Sequence, residues 1–255
     1  MYTMSAMAAA VTGARHLRMA RNGQDAAAGW TGEGMGAVVV CDGCGAGASS
    51  EVGARLGARL VIAAVRRALE RGAPEGRAGW AALWAEARAH VIVALEGLVA
   101  AMAPGAGAGE RATIVHDHCL FTIVAAAVSN DTASVWAIGD GGYAIGDRAQ
   151  LLGPFADNQP PYVGYDLLGE PATPHFEVFE RSAGRIVVAT DGAAELGLVE
   201  LDADDVRNPD GLRRKLTVLA RSGERIDWDA RRVVRTPAAL QDDGAVAVLR
   251  WESGR

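Results

Sequence analysis

Cysteine is scarce and odd in number. Cys41, Cys44 and Cys119 cannot make a disulfide framework. Cys41 and Cys44 have C-x-x-C spacing, but no second pair exists to complete a zinc site. Small residues packing a loop are therefore favoured over a redox or zinc centre. Aromatic residues make up only 5% of a chain that is 50% hydrophobic, so alanine and valine must do much of the filling. No basic block is present. Asp and Glu number 31 against 25 Lys and Arg, a net charge of −6, which argues against a phosphate-tracking nucleic-acid surface. No apolar run is long enough to span a bilayer, and MYTMSAMAAAVTGA lacks the basic start of a signal peptide. The expectation is a cytoplasmic protein without a membrane partner. There is no internal repeat or heptad run. A C-x-x-x-x-x-R loop and a G-x-S-x-G elbow are also missing, so nothing signals a covalent cysteine or serine nucleophile of those types.

The 255 residues suffice for one large domain with an ample core. GAVVVC (36–41) reads as a buried strand. The turn GCGAGASS follows, with Ser49 or Ser50 placed to cap a helix. That helix, EVGARLGARLVIAAVRRALE, carries Val52, Leu56, Leu60 and Ala64 at helical period. A second helix spans about Trp80 to Met102, with Leu83, Ala87, Val91 and Leu95 on one face, and PGAGAGE reads as a flexible loop. CLFTIVAAAVS, TASVWAIGD and GYAIGD then read as consecutive antiparallel strands with turns at SND and GDGG. Residues 151–174 are mostly loop. HFEVFE and RIVVATD are strands joined by RSAG, residues 193–235 are charged and broken, and AVAVLRW is a closing strand. Strands, long helices, then more strands fit an α+β fold with helices covering sheet faces.

Four acidic motifs close apolar, strand-like runs: VVVCDG at Asp42, VWAIGDGG at Asp140, RIVVATDG at Asp191, and QDDGAVAVL at Asp242 and Asp243. An aspartate at a strand end followed by glycine leaves a carboxylate on the rim of a sheet. Clustered carboxylates repel one another unless a cation neutralises them. Hard divalent cations take oxygen ligands, so the pattern points to a Mg2+ or Mn2+ site and to phosphoryl chemistry. Taken singly, an Asp-Gly is most often only a turn, and Asp147 in GDR is read that way.

The order of these motifs resembles the metal-dependent protein phosphatases of the type 2C (PPM) family, in particular their bacterial branch. The residues carrying the likeness are GARHLRMARNGQDA, DGCGAGASSEVGA, GDGGYAI, TDGAAEL and DDGAVAV, together with NQPPYVGYDLL. They run from Gly13 to Leu249. The resemblance implies a four-layer α-β-β-α sandwich, with two central antiparallel sheets flanked by helices. It implies one domain over residues 1–255, with a variable, flap-like insert at about 193–235. It also implies a serine/threonine phosphoprotein phosphatase in which a hydroxide bridging two metal ions attacks the phosphomonoester in line. Asp42 would bridge both ions, the Gly43 carbonyl would bind one, and Asp191 and Asp242 the other. Asp25 would support the first ion through water. Asp140 and Glu195 match positions that serve a weaker third ion. Partners would be phosphoserine or phosphothreonine proteins, among them a cognate bacterial kinase.

Some roles stay open. His16 is either a phosphate contact and general acid or a hydrogen-bonded residue fixing the N-terminal strand. Arg15, Arg18 and Arg21 offer guanidinium groups for phosphate, although a solvated charge is the favoured reading of Arg21. VHDHC is expected to be a loop-to-strand entry without metal. The metal ligand is expected first in the Asp242–Asp243 pair, with Asp243 facing solvent. A non-catalytic relative that keeps the fold and binds a phosphoprotein is the alternative function. The presence of Asp42, Gly43, Asp191 and Asp242 together favours the enzyme.

Overall fold

A computed structural model of the protein describes residues 2–130, 132–181, 184–201 and 208–253. Asp131 of the SND turn, Ser182 and Ala183 of the RSAG link, and residues 202–207 of the insert lie outside the described residues. The elements run β1 (Tyr2–Val11), α1 (Ala14–Arg18), β2 (Ala26–Gly32), β3 (Met35–Cys41), α2 (Glu51–Arg71), α3 (Gly76–Met102) and α4 (Ala108–His118). Next come β4 (Ile123–Ser129), β5 (Thr132–Ile138), β6 (Gly141–Ile145), β7 (Arg148–Leu152), β8 (His175–Glu180) and β9 (Arg185–Ala189). The chain continues through α5 (Asp191–Ala194), α6 (Leu198–Leu201), α7 (Pro209–Leu219), β10 (Gly223–Asp227), β11 (Arg232–Thr236) and β12 (Gly244–Ser253).

Two five-stranded antiparallel sheets form the centre, in the orders β2-β3-β4-β5-β8 and β1-β12-β9-β6-β7. The continuous apolar runs reflect burial on both faces. In β3, Val38 and Val40 point between the sheets, while Ala37, Val39 and Cys41 point under α2 and α3. In β12, Ala245, Ala247 and Leu249 face the other sheet, and Val246 and Val248 face α5, α6 and α7. This is the expected α+β arrangement of two sheets with helices outside. The few aromatics sit at junctions: Trp84 of α3 stacks on Trp136 of β5 with centroids 5.7 Å apart, and its Nε1 donates to Ser134 Oγ at 2.8 Å.

Several local expectations are corrected. β5 and β6 do not pair. β5 lies beside β4 and β8, whereas β6 lies beside β7 and β9. The glycines of GDGG allow the crossing between sheets. Gly139 (φ 95°) and Gly141 (φ 110°) adopt left-handed backbone, and a Cβ at Gly141 would stand 2.6 Å from the Ala189 carbonyl oxygen. VHDHC ends α4 instead of entering a strand. On α2, Val52 is exposed, and Leu56 and Leu60 are only half-buried. The buried stripe is Ala54, Gly57, Ala58, Val61, Val65 and Leu69, with Ala64 beside it. Small residues let this helix lie close to the sheet, so apolar size misplaces its inner face. Ser50 precedes α2 but has helical backbone, and its hydroxyl caps nothing. β2, β7 and the β10–β11 hairpin are strands where no strand was expected, and the N-terminal strand, expected without bounds, is β1.

The helix–sheet contact gives a paired prediction. A Cβ at Gly57 would lie 2.3 Å from the buried Phe121 ring, whereas one at Gly97 of α3 meets nothing within 4 Å. Gly97→Ala should stabilise by about 1 kcal/mol through helix propensity. Gly57→Ala should instead destabilise by about 1–3 kcal/mol through overpacking. Urea unfolding of both variants measures this, and a stabilised Gly57→Ala would contradict the packing described.

Candidate metal centre

The acidic motifs meet at one end of the sandwich. A cleft of about 630 Å³ is lined by Asp25, Asp42, Gly43, Asp140, Asp191 and Asp242, together with His16, Arg15 and Arg21. Residues far apart in sequence converge because each stands where a strand leaves a sheet. Asp25 directly precedes β2 and Asp42 follows β3. Asp140 lies in the crossing from β5 to β6, Asp191 opens α5 after β9, and Asp242 precedes β12. Glu195 is exposed just past α5 and is not in the cleft wall.

Backbone contacts fix the floor. Thr122 N donates to the Asp42 carbonyl at 2.8 Å, and Cys44 N donates to the Leu120 carbonyl at 2.9 Å. Gln24 Nε2 donates to Ser50 Oγ at 2.7 Å, and Ser50 Oγ donates to the Cys44 carbonyl at 2.8 Å. Gly43 sits inside this knot. A Cβ there would lie 2.8 Å from Ser50 Oγ and 2.9 Å from the Gln24 carbonyl oxygen, so only glycine fits.

The second fixed point is Asp243, which is buried rather than solvent-facing. Its Oδ1 accepts from Gly13 N at 2.8 Å. Its Oδ2 accepts from Gln24 N at 2.7 Å and bonds His16 Nδ1 at 2.8 Å. Asp242 is the exposed member of the pair. His16, Asp242 and Asp243 each offer an atom within 4.8 Å of the others. One carboxylate thus ties α1, the β2 entry and the β12 entry together. The sequence reading missed this anchor. Its signal was the doubled aspartate, but adjacent residues point to opposite sides of extended chain: Asp243, expected to face solvent, turns inward, and Asp242 lines the cleft. Thr190 was also missed as a partner: its Oγ1 donates to Asp25 Oδ2 at 2.6 Å and accepts from Ala245 N at 2.9 Å. Tyr162 and Tyr165 line the cleft as well.

The electrostatics are those of crowded acids. Burial pushes the Asp42 carboxyl well above the usual carboxylate range, and the charges of Asp25 and Asp191 push it further. Burial raises Asp25 from its ordinary 3.8 to about 8, against the Thr190 hydrogen bond, which works the other way. Asp140 is raised to about 6, first by burial and then by Asp191. Among the described residues, no arginine or lysine forms an ion pair with these aspartates. Asp140 Oδ1 is buried without a hydrogen-bond partner. An all-oxygen donor set, without an arginine or lysine ion pair among the described residues and holding an orphaned oxygen, fits a hard divalent ion.

The family model described as "Protein phosphatase 2C" matches residues 12–231, and the chain belongs to that family. No curated protein sequence matches it. Among solved structures it is similar to the catalytic domain of the serine/threonine phosphatase PstP in complex with two manganese ions. That match has 15% identity and TM-score 0.58, and covers 99% of this chain and 100% of that one. It is also similar to the serine/threonine phosphatase Stp1 from Staphylococcus aureus, at 13% identity and TM-score 0.62, covering 99% and 96%. PppA, a regulatory component of the type VI secretion system in Pseudomonas aeruginosa, matches at 17% identity and TM-score 0.58, covering 98% of each chain. At these identities the likeness is one of fold.

The raised acids dictate a pH dependence for the metal-free protein. Folded Asp25 and Asp42 keep protons that the unfolded chain releases near pH 3.8. The unfolded state therefore binds fewer protons, and stability falls as pH rises between roughly 4 and 8. Thermal unfolding in chelator should show a falling Tm across that window, and Asp42→Asn should flatten the fall. A Tm that rises with pH there, with no difference in the variant, would contradict the assignment.

Proposed function

We propose that this protein is a Mg2+- or Mn2+-dependent phosphatase acting on phosphoserine and phosphothreonine in proteins. The observation that carries the reading is the buried Asp42 carboxyl, crowded between Asp25 and Asp191 with no protein cation to neutralise it. Asp42 would be shared by two ions, the Gly43 carbonyl would serve one, and Asp191 and Asp242 the other. Asp25 would support the first ion through water. Asp140, with its unpartnered oxygen, and Glu195, exposed just past α5, are the candidates for a weaker third ion. Bound there, divalent ions supply an activated water and neutralise phosphoryl charge.

The chain's own groups do the rest. Asp42, Asp191 and Asp242 hold the negative charge that fixes the ions. Asp243 bonds His16 Nδ1, which leaves Nε2 as the ring atom able to exchange a proton in the cleft. A protonated Nε2 is suited to protonate the departing serine or threonine oxygen. Arg15 and Arg21 line the cleft and offer planar donors to phosphoryl oxygens. The whole chain would act as one domain, with residues 193–235 as its flap. A bacterial, cytoplasmic protein opposing a serine/threonine kinase is the setting proposed, with that kinase as the first substrate to try. No helix among the described residues is long and apolar enough to cross a membrane.

Hydrolysis of p-nitrophenyl phosphate and of a phosphothreonine peptide, with Mn2+, with Mg2+ and with chelator, tests the proposal. Turnover should require metal. Asp42→Asn and Asp191→Asn should each lower kcat at least about a hundredfold, or about 2.7 kcal/mol of barrier. His16→Gln should leave metal binding intact while slowing hydrolysis of the phosphothreonine peptide more than that of p-nitrophenyl phosphate, whose leaving group needs no proton. Metal binding without turnover would mark a non-catalytic relative. Full activity in both aspartate variants would overturn the site.

A further inference from the structure

A second cavity, of about 420 Å³, opens where the two sheets present their edges to each other. β1 ends one sheet and β2 ends the other. The cavity is lined by Thr12 after β1, by Gly23, by Asp25 with Ala26 and Ala27 of β2, by Arg55 and Arg59 of α2, and by Arg213 of α7. Three arginines, from α2 and from α7, thus line one space. Arg55 Nη2 donates to the Gly23 carbonyl at 3.2 Å. Among the described residues, none of the three arginines forms an ion pair. The one acid in the wall, Asp25, has its carboxyl engaged by Thr190. In a protein of net charge −6, three arginines against one aspartate make this wall locally positive. A cavity whose lining carries an excess of positive charge draws in anions. Guanidinium forks match the spacing of phosphate oxygens, and edge strands offer unpaired N–H groups beside them.

We infer that this inter-sheet cavity is a second anion site that binds a phosphate group through Arg55, Arg59 and Arg213. Asp25 lines both this cavity and the metal-centre cleft. The phosphate is either free inorganic phosphate or a phosphate carried on a polypeptide. Binding here needs no metal and no catalysis, so the inference stands apart from the phosphatase reading.

The test is calorimetric titration of the full chain in chelator, at constant ionic strength set with chloride. One arm uses inorganic phosphate and the other a phosphothreonine peptide. Saturable binding is expected in at least one arm. The Arg59→Gln/Arg213→Gln double variant should weaken it at least about tenfold, since two charge-assisted contacts are removed. Arg225→Gln/Arg232→Gln, on the β10–β11 hairpin and outside both cavities, should leave it unchanged. Both arginine pairs are exposed, so the variants should fold, and matching thermal unfolding curves check this. Binding by the peptide alone identifies a phosphoprotein as the source, whereas binding by inorganic phosphate identifies the free ion as sufficient. No binding above the chloride control, or equal affinity in the Arg59/Arg213 variant, overturns the inference.

Discussion

Asp25, Asp42 and Asp191 are pressed together at the end of a sandwich that offers them no basic partner among the described residues. Their mutual repulsion is the constraint to which the rest of the structure answers. In low dielectric, three adjacent carboxylates cannot all stay ionised without a cation. The fold nevertheless holds them close, because each is fastened to a strand end by contacts that involve no charge pairing. Thr122 grips the Asp42 carbonyl, Thr190 grips the Asp25 carboxyl, and the Gly192 amide donates to Asp191 Oδ1 at 2.6 Å. Two apolar layers and the sheet–sheet core behind them supply the stability that this rim consumes.

The glycines of the acidic motifs serve the same end. They bring backbone into places where no side chain fits. A Cβ at Gly13 would stand 1.9 Å from the Asp242 carbonyl oxygen, and one at Gly192 would stand 2.4 Å from that of Asp243. The α1 entry, the α5 entry and the β12 entry are thereby stacked within contact distance of one another. Asp243 completes the join with its bonds to Gly13, His16 and Gln24. Positioning and charge are thus divided within one dipeptide: the inward aspartate organises the loops, and the outward one faces the cleft.

What could be read from the sequence follows from the physics of each feature. Strands buried on both faces announce themselves as apolar runs, so β3, β4, β9 and β12 were visible. Rim aspartates announce themselves because Asp-Gly interrupts those runs. β2 was not visible, and β1 only as an N-terminal strand without bounds. They are alanine-rich edge strands whose burial is partial, so neither alternation nor a strong apolar run marks them. The inner face of α2 was misplaced because close approach selects glycine and alanine there, and larger apolar residues were left at its margins. Which of Asp242 and Asp243 turns inward depends on loop contacts at Gly13 and Gln24, more than 200 residues away, and no local pattern encodes that. The arginine cavity between β1 and β2 was hidden for the same reason, since its residues come from four separate segments.

The central claim is that these carboxylates are built to exchange protons for a divalent cation. Titrating Mn2+ into metal-free protein at about pH 7, in buffers of different ionisation enthalpy, counts the protons released on binding. The account predicts tight Mn2+ binding accompanied by proton release, because burial and crowding keep protons on Asp25 and Asp42 before the ion arrives. It also predicts that Asp42→Asn loses both the binding and the release. Mn2+ binding with no proton release, or equal binding in the variant, would contradict it.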